Sequence, residues 1–200
     1  MRTDPTDEEL MIRFEGGDRS SLALLVRRHE TRLYNFALRQ LGNGSAAEQV
    51  VLDAFVRAVE RAANLKLGAR FLTGLYALAR GLCVDRLASS GGLGGPPLNQ
   101  PRSGLQREVA GLIEGTGVRP NVGRPVGAVE IRERVLAAVD ALVLEQREVF
   151  LMREVGGLPF KEIAQVVGVP ENAVKNRMRC ALEHLQAELS EFEEYARALR

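Results

Sequence analysis

Residues 158–185 read LPFKEIAQVVGVPENAVKNRMRCALEHL, two short helical patterns joined by a tight turn. In the first, Phe160, Ile163, Ala164 and Val167 recur at offsets of three and four, which gathers them on one helical face. Gly168 supplies the stop, because glycine accepts the left-handed backbone that ends helices. Pro170 presets the chain for a new helix start. In the second pattern Val174, Met178, Ala181, Leu182 and Leu185 share one side. Asn172, Lys175, Asn176 and Arg179 fall at i, i+3, i+4 and i+7 and share the opposite side. Glu171 opens that helix, and Arg177 sits between its two faces. A buried stripe that docks the helix, with an outward row of donors, is what a helix-turn-helix needs to enter a major groove. The same spacing also describes an αα-hairpin with an ordinary solvated face.

Composition narrows the classes open to the chain. Two hundred residues, 46% hydrophobic and 26% charged, fit one or two soluble globular domains. No apolar run approaches the roughly 18 residues a membrane helix requires. The start, MRTDPTDEEL, is acidic and lacks the apolar core of a signal peptide. A cytoplasmic protein without membrane insertion is expected. Cys83 and Cys180 belong to no CxxC pair and read as reduced core or helix-face thiols. Net charge is only +1, so charge alone does not announce nucleic acid. Residues 1–88 carry 13 basic and 11 acidic groups, and residues 128–200 carry 10 and 13. A reading helix in that net-negative setting contacts few phosphates, so its affinity alone should be weak. A partner that adds contacts is therefore expected.

Taken in order, the chain promises helices throughout. Thr6 and Glu9 form a capping box ahead of DEELMIRFE. Asp18 can cap a longer helix reaching Gln40, and Ser45 with Glu48 suggests another capping box for a helix ending near Ala63. After Asn64–Gly68, a fourth helix spans about 69–87. Four helices with short turns can bury a core of about eighty residues. Residues 89–129 hold ten of the 20 glycines and five of the eight prolines and read as a flexible linker, with a marginal helix at 105–113. A helix from Val129 then runs to about Leu144 and continues or restarts to Val155. Beyond Leu185 an acidic helical pattern, with Glu188, Glu191, Glu193 and Glu194, reads either as a solvated face or as a surface that repels DNA or binds a basic partner. The expected architecture is all-α. It comprises an N-terminal four-helix bundle (1–88), the linker (89–129) and a C-terminal helix-turn-helix domain with a helical extension (130–200).

The run LEQREVFLMREVGGLPFKEIAQVVGVPENAVKNRMRCALEHL, residues 144–185, resembles the C-terminal DNA-binding domain of bacterial extracytoplasmic-function (ECF) sigma factors of RNA polymerase. The carrying features are QREVF, a Gly-rich bend, an aromatic-K-E-I-A helix, G-V-P, and V-K-x-R-M. DEELMIRFEGGD, LVRRHETRLYNFALRQLG, the VV-x-D-AF-x-RA helix and F-x-T-x-LY-x-x-AR resemble the same family's core-binding and promoter-melting domain. The resemblance implies that Glu171, Asn172, Lys175, Asn176, Arg177 and Arg179 read an upstream promoter element, with that domain resting on the polymerase β flap. It implies that Glu48, Gln49, Leu52, Asp53, Phe55, Val56 and Arg57 dock on the β′ clamp helices. It assigns Asn64, Lys66, Arg70, Phe71, Thr73, Tyr76 and Arg80 to the downstream element and its melting. An anti-sigma partner is implied as well.

The chain departs from that pattern in places. Gln49 and Leu52 stand where the family has an acidic residue and Gln, and Gly74 stands where it has Trp. Gly81 replaces Asn, and Leu87-Ala88 replaces a basic pair. A lost aromatic platform weakens strand capture by about 1–3 kcal/mol, though the aromatic residues Phe71 and Tyr76 remain nearby. No P-loop, GxGxxG, HExxH or GxSxG motif is present. His29 and His184 lie within amphipathic patterns. No enzyme, cofactor, metal or small-molecule substrate is expected. Three functions remain open at this point: a sigma factor that binds core polymerase and directs initiation, a degenerate sigma-like protein that binds polymerase or an anti-sigma factor without melting DNA, or a stand-alone DNA-binding repressor.

Overall fold

The computed structural model describes residues 4–62, 70–89, 104–114 and 126–190. These form helices, with no strand among the described residues. The chain divides into two compact units, Met1–Val118 and Arg119–Arg200.

In the first unit α1 (Asp7–Glu15), α2 (Arg19–Leu41), α3 (Gly44–Ala62) and α4 (Phe71–Ser89) pack around a shared core. Local signals set most of the boundaries. Thr6 and Glu9 close the capping box of α1, and Asp18 accepts the Ser20 N–H at the start of α2. Gly42, with φ 65°, ends α2 in the left-handed conformation. The start of α3 differs from the expected Ser45–Glu48 box. Asn43 caps it, its side-chain oxygen accepting the Ala46 N–H at 2.9 Å. Two side chains able to cap stood two residues apart, and the one adjoining the Gly42 stop takes the role. Leu10, Met11 and Leu25 form one buried cluster against which Phe14 and Phe71 pack. Deeper in the bundle the Phe36 and Tyr76 rings meet edge to face at 5.3 Å.

The segment read as a linker contains a real helix. α5 (Gly104–Glu114) packs against α2 and α3, burying Val109 completely. Arg19 of α2 pairs with Glu108. The first unit therefore extends beyond Ala88, because α5 finds an apolar surface on α3 that the glycine and proline content of its surroundings does not reveal.

In the second unit α6 (Val126–Ala141) stops before α7 (Leu144–Phe150) instead of running on. Val143, extended at ψ 150°, forms the break without a proline. Arg147 reaches back from α7 to donate to the carbonyls of Asp140 and Leu142, the latter at 2.8 Å. It thereby satisfies groups that a helix end leaves unpaired. A single π-helical turn, Leu151–Val155, follows α7. There Arg153 donates to the Leu158 carbonyl at 3.1 Å and lies 4.8 Å over the Phe160 ring, bracing the corner into α8 (Phe160–Val167). α9 (Glu171–Glu188) completes the unit. The acidic positions Glu191, Glu193 and Glu194 lie outside the described residues.

Candidate nucleic-acid interface

The α8–α9 junction is built as its residues dictate. Gly168, at φ 74°, ends α8 and donates to the Ala164 carbonyl at 2.9 Å. Pro170 is the N-cap of α9, one position earlier than a helical first residue. Val174, Met178, Ala181 and Leu185 are buried and hold α9 against α6, α7 and α8. Leu182, expected on that stripe, is exposed instead. It lies about 100° round the helix from Ala181, which carries it past the edge of the buried arc.

The opposite side of α9 presents Asn172, Lys175, Asn176 and Arg179 together, all exposed, with Glu171 half-buried at its start. Lys175 pairs with Glu171 at 2.7 Å, and Arg179 pairs with Glu183 at 2.7 Å. Arg179 also donates to the Asn176 side-chain oxygen at 3.0 Å. Glu183 was not singled out from the sequence, although its i+4 spacing from Arg179 was the available signal. The row is rich in donors, ordered, and aimed away from the packed face.

Arg177 does not belong to that row. Its guanidinium lies 3.6 Å from the carboxylate of Glu148, a residue of α7 that is almost wholly buried. It ties the second helix of the motif to the body of the unit. Glu148 was legible only as part of QREVF, and its burial is a tertiary fact.

The first unit rearranges the expected sets. In the downstream set, Tyr76 is 1% exposed, packed on Phe36, with its hydroxyl lacking a partner. Burial pushes its phenol pKa upward. Phe71 packs on the Leu10–Met11–Leu25 cluster, 6.2 Å from the His29 ring. Tyr76 is not free to stack on bases, because the small bundle uses it as core, whereas Phe71 is only partly buried against its cluster. Arg70 is exposed just before α4, while Thr73 and Arg80 are half-buried. Asn64 and Lys66 lie outside the described residues.

In the core-binding set, Phe55 is completely buried, Leu52 is 6% exposed and Val56 5%. Phe55 points into the bundle with Val51 and Ala58, and the other two lie on a separate stripe. Glu48 and Arg57 are exposed. Gln49 donates to Asp53 at 2.8 Å, and Arg86 of α4 reaches the other Asp53 oxygen at 3.1 Å. Asp53 thus links α3 to α4. At the edge of this unit Asp7 accepts from Arg28 and bonds His29, each at 2.6 Å. Burial raises the Asp7 pKa, but those two partners outweigh it and hold the carboxyl below its usual range.

Cys83 and Cys180 are both free thiols, and burial pushes the Cys83 pKa up to about 12. Among the described residues no group of three or more His, Cys, Asp or Glu is arranged to hold a metal ion.

Two family models match the chain, "Sigma-70 region 2" over residues 25–92 and "Sigma-70, region 4" over residues 132–185. The first lies in the α2–α4 bundle, and the second spans α6 through most of α9. Among curated proteins, the RNA polymerase sigma-H factor of Pseudomonas aeruginosa is 26% identical, over 94% of this chain and 96% of that protein. The ECF RNA polymerase sigma factor SigW of Bacillus subtilis is 26% identical over 86% and 91%. The ECF sigma-E factor of Escherichia coli is 26% identical over 89% and 91%. A solved structure of CnrH in complex with the cytosolic domain of CnrY shares the fold, with TM-score 0.61 and 23% identity over 92% of this chain and 97% of that one.

Proposed function

The chain belongs to the ECF sigma factors of bacterial RNA polymerase, and from that premise we propose which of its surfaces read the promoter and grip the enzyme. As a sigma factor it is not itself an enzyme. It binds core polymerase and directs promoter-specific initiation. In our reading α9 enters the major groove of the upstream element. Asn172, Lys175, Asn176 and Arg179 meet base edges and phosphates, Glu171 supports the helix start, and Arg177 holds the helix rather than touching DNA. The docking surface for the β′ clamp helices is the outer side of α3, from Glu48 to Arg57. The β flap receives the second unit. Asn64, Lys66, Arg70, Thr73 and Arg80 serve the downstream element. An anti-sigma protein as a partner is part of the proposal, and the solved complex of the sigma factor RpoE with the anti-sigma factor NepR from Bartonella quintana is the parallel that supports it. The cytoplasm is the proposed location, since promoter and polymerase are there and no described helix is long and apolar enough to cross a membrane.

The observation that carries this reading is the exposed donor row of α9 standing opposite its buried stripe. Transcription in vitro with purified core polymerase tests it. Promoter-directed transcripts should require the chain. Arg179→Ala should reduce them by roughly 10–100-fold, the equivalent of about 1–3 kcal/mol of base discrimination, whereas Glu188→Ala should leave them unchanged. Equal effects would refute the assignment of this face. The burial of Tyr76 favours a second reading, in which the factor binds polymerase but melts DNA poorly. Activity confined to a pre-melted template would select it.

A further inference from the structure

α3 carries two apolar stripes. Ala47, Val51, Ala54, Phe55 and Ala58 face the bundle. Leu52, Val56 and Val59 follow i, i+4, i+7 spacing about 100° round the helix from Val51, and they too are buried. Asp53, bridged to Arg86 of α4, lies about 60° round the helix from Val56 and marks the edge of that stripe. α5 packs on both α2 and α3, with Val109 fully buried and Glu108 paired to Arg19, and so supplies an apolar partner for the second stripe. Leu52 is also a position at which the chain departs from the pattern it resembles, an apolar side chain standing where Gln is expected, and it is buried here.

We propose that α5 is a displaceable cover over the polymerase-docking face of α3, held there in the free protein and replaced by the clamp helices of the core enzyme. The inference rests on the docking role of α3 proposed above. Two features make the cover weak by construction. α5 is eleven residues long, begins at Gly104 and contains Gly111. Helices shorter than about 12–15 residues are marginal without tertiary support, and an interior glycine weakens them further. Its ion pair with Arg19 is solvent-facing on the arginine side and so contributes little. A covered face lowers apparent affinity by the fraction of molecules in which it is open. Removing the cover should therefore strengthen binding to polymerase.

The test uses the full chain and purified core polymerase in an equilibrium binding titration. Val109→Asp places a charge in the α5 contact and should tighten binding about tenfold. Glu108→Arg sets like charges against Arg19 and should tighten it about two- to threefold, with Arg19→Glu/Glu108→Arg returning to the wild-type value. Circular dichroism identifies a Val109→Asp chain that fails to fold, and the charge series then decides alone. Unchanged or weaker binding in folded variants overturns the cover. Arg57→Glu separates the two claims: if it abolishes binding while the α5 variants gain nothing, the docking face stands and the cover falls. If Arg57→Glu binds as well as wild type, the docking face itself is misplaced.

Discussion

Removing the Arg177 side chain should damage the second unit rather than its contact with DNA. Arg177→Ala removes the cation beside the carboxylate of Glu148, whose side chain is only 5% exposed. Breaking a fully buried ion pair costs about 3–5 kcal/mol, mostly for the charge left behind. Two observations reduce that figure. The Arg177 side chain is 29% exposed, so water reaches the site, and 3.6 Å is a charge contact without a short hydrogen bond. About 1–2 kcal/mol is the expected loss. For a unit of this size that is a fall of about 5–15 °C in midpoint. Thermal unfolding of the intact chain followed by circular dichroism measures it, alongside fluorescence anisotropy on a promoter fragment. Arg179→Ala should show the converse, an unchanged midpoint with weakened binding. Glu148→Gln/Arg177→Ala should regain part of the lost stability, since no charge is then left buried. An Arg177→Ala chain with wild-type unfolding and weakened DNA binding would refute the reasoning and return Arg177 to the reading face.

Two further outcomes follow from single features. Gly168→Ala should cost about 1–2 kcal/mol, read as a lowered urea midpoint. A Cβ there meets nothing, so the left-handed φ of 74° is the whole cause. Asp7 gives a pH effect of defined sign. Its folded pKa is lowered, so its contribution is present above the unfolded value of about 3.9 and is lost as pH falls through the folded one. Urea unfolding from pH 6 to pH 2 should therefore show wild type losing its advantage over Asp7→Asn below about pH 4. An advantage that stays constant to pH 2 would refute the link to His29 and Arg28.

The parts of the fold legible in the sequence are those set by neighbours along the chain. Thr6 with Glu9, Asp18, Gly42 and Gly168 act within one turn of where they stand, and each does what its chemistry predicts. Side chains whose role depends on distant partners were not legible. Phe55, Phe71 and Tyr76 are as suited to a core as to a stacking surface, and only the packing of α1, α2 and α4 decides. The break at Val143 depends on Arg147 reaching back to α6, a contact that no local pattern encodes. α5 is the clearest case. Its apolar spacing was visible, but the surface that stabilises it lies some fifty residues earlier, on α3. In the α9 set, the i, i+3, i+4, i+7 row was legible because helical geometry alone places it. Arg177 was not, because its partner Glu148 lies on another helix.

The pairing of Lys175 with Glu171, and of Arg179 with Glu183, has a further consequence for promoter search. In the proposed reading these cations carry their own counter-ions within the protein, so any phosphate or base edge must displace a carboxylate already in place. Random duplex, offering charge without matched geometry, gains little from that exchange. The isolated factor should therefore linger poorly on bulk DNA and exhibit a shallow salt dependence, leaving polymerase to bring α9 to sites where the swap is favourable.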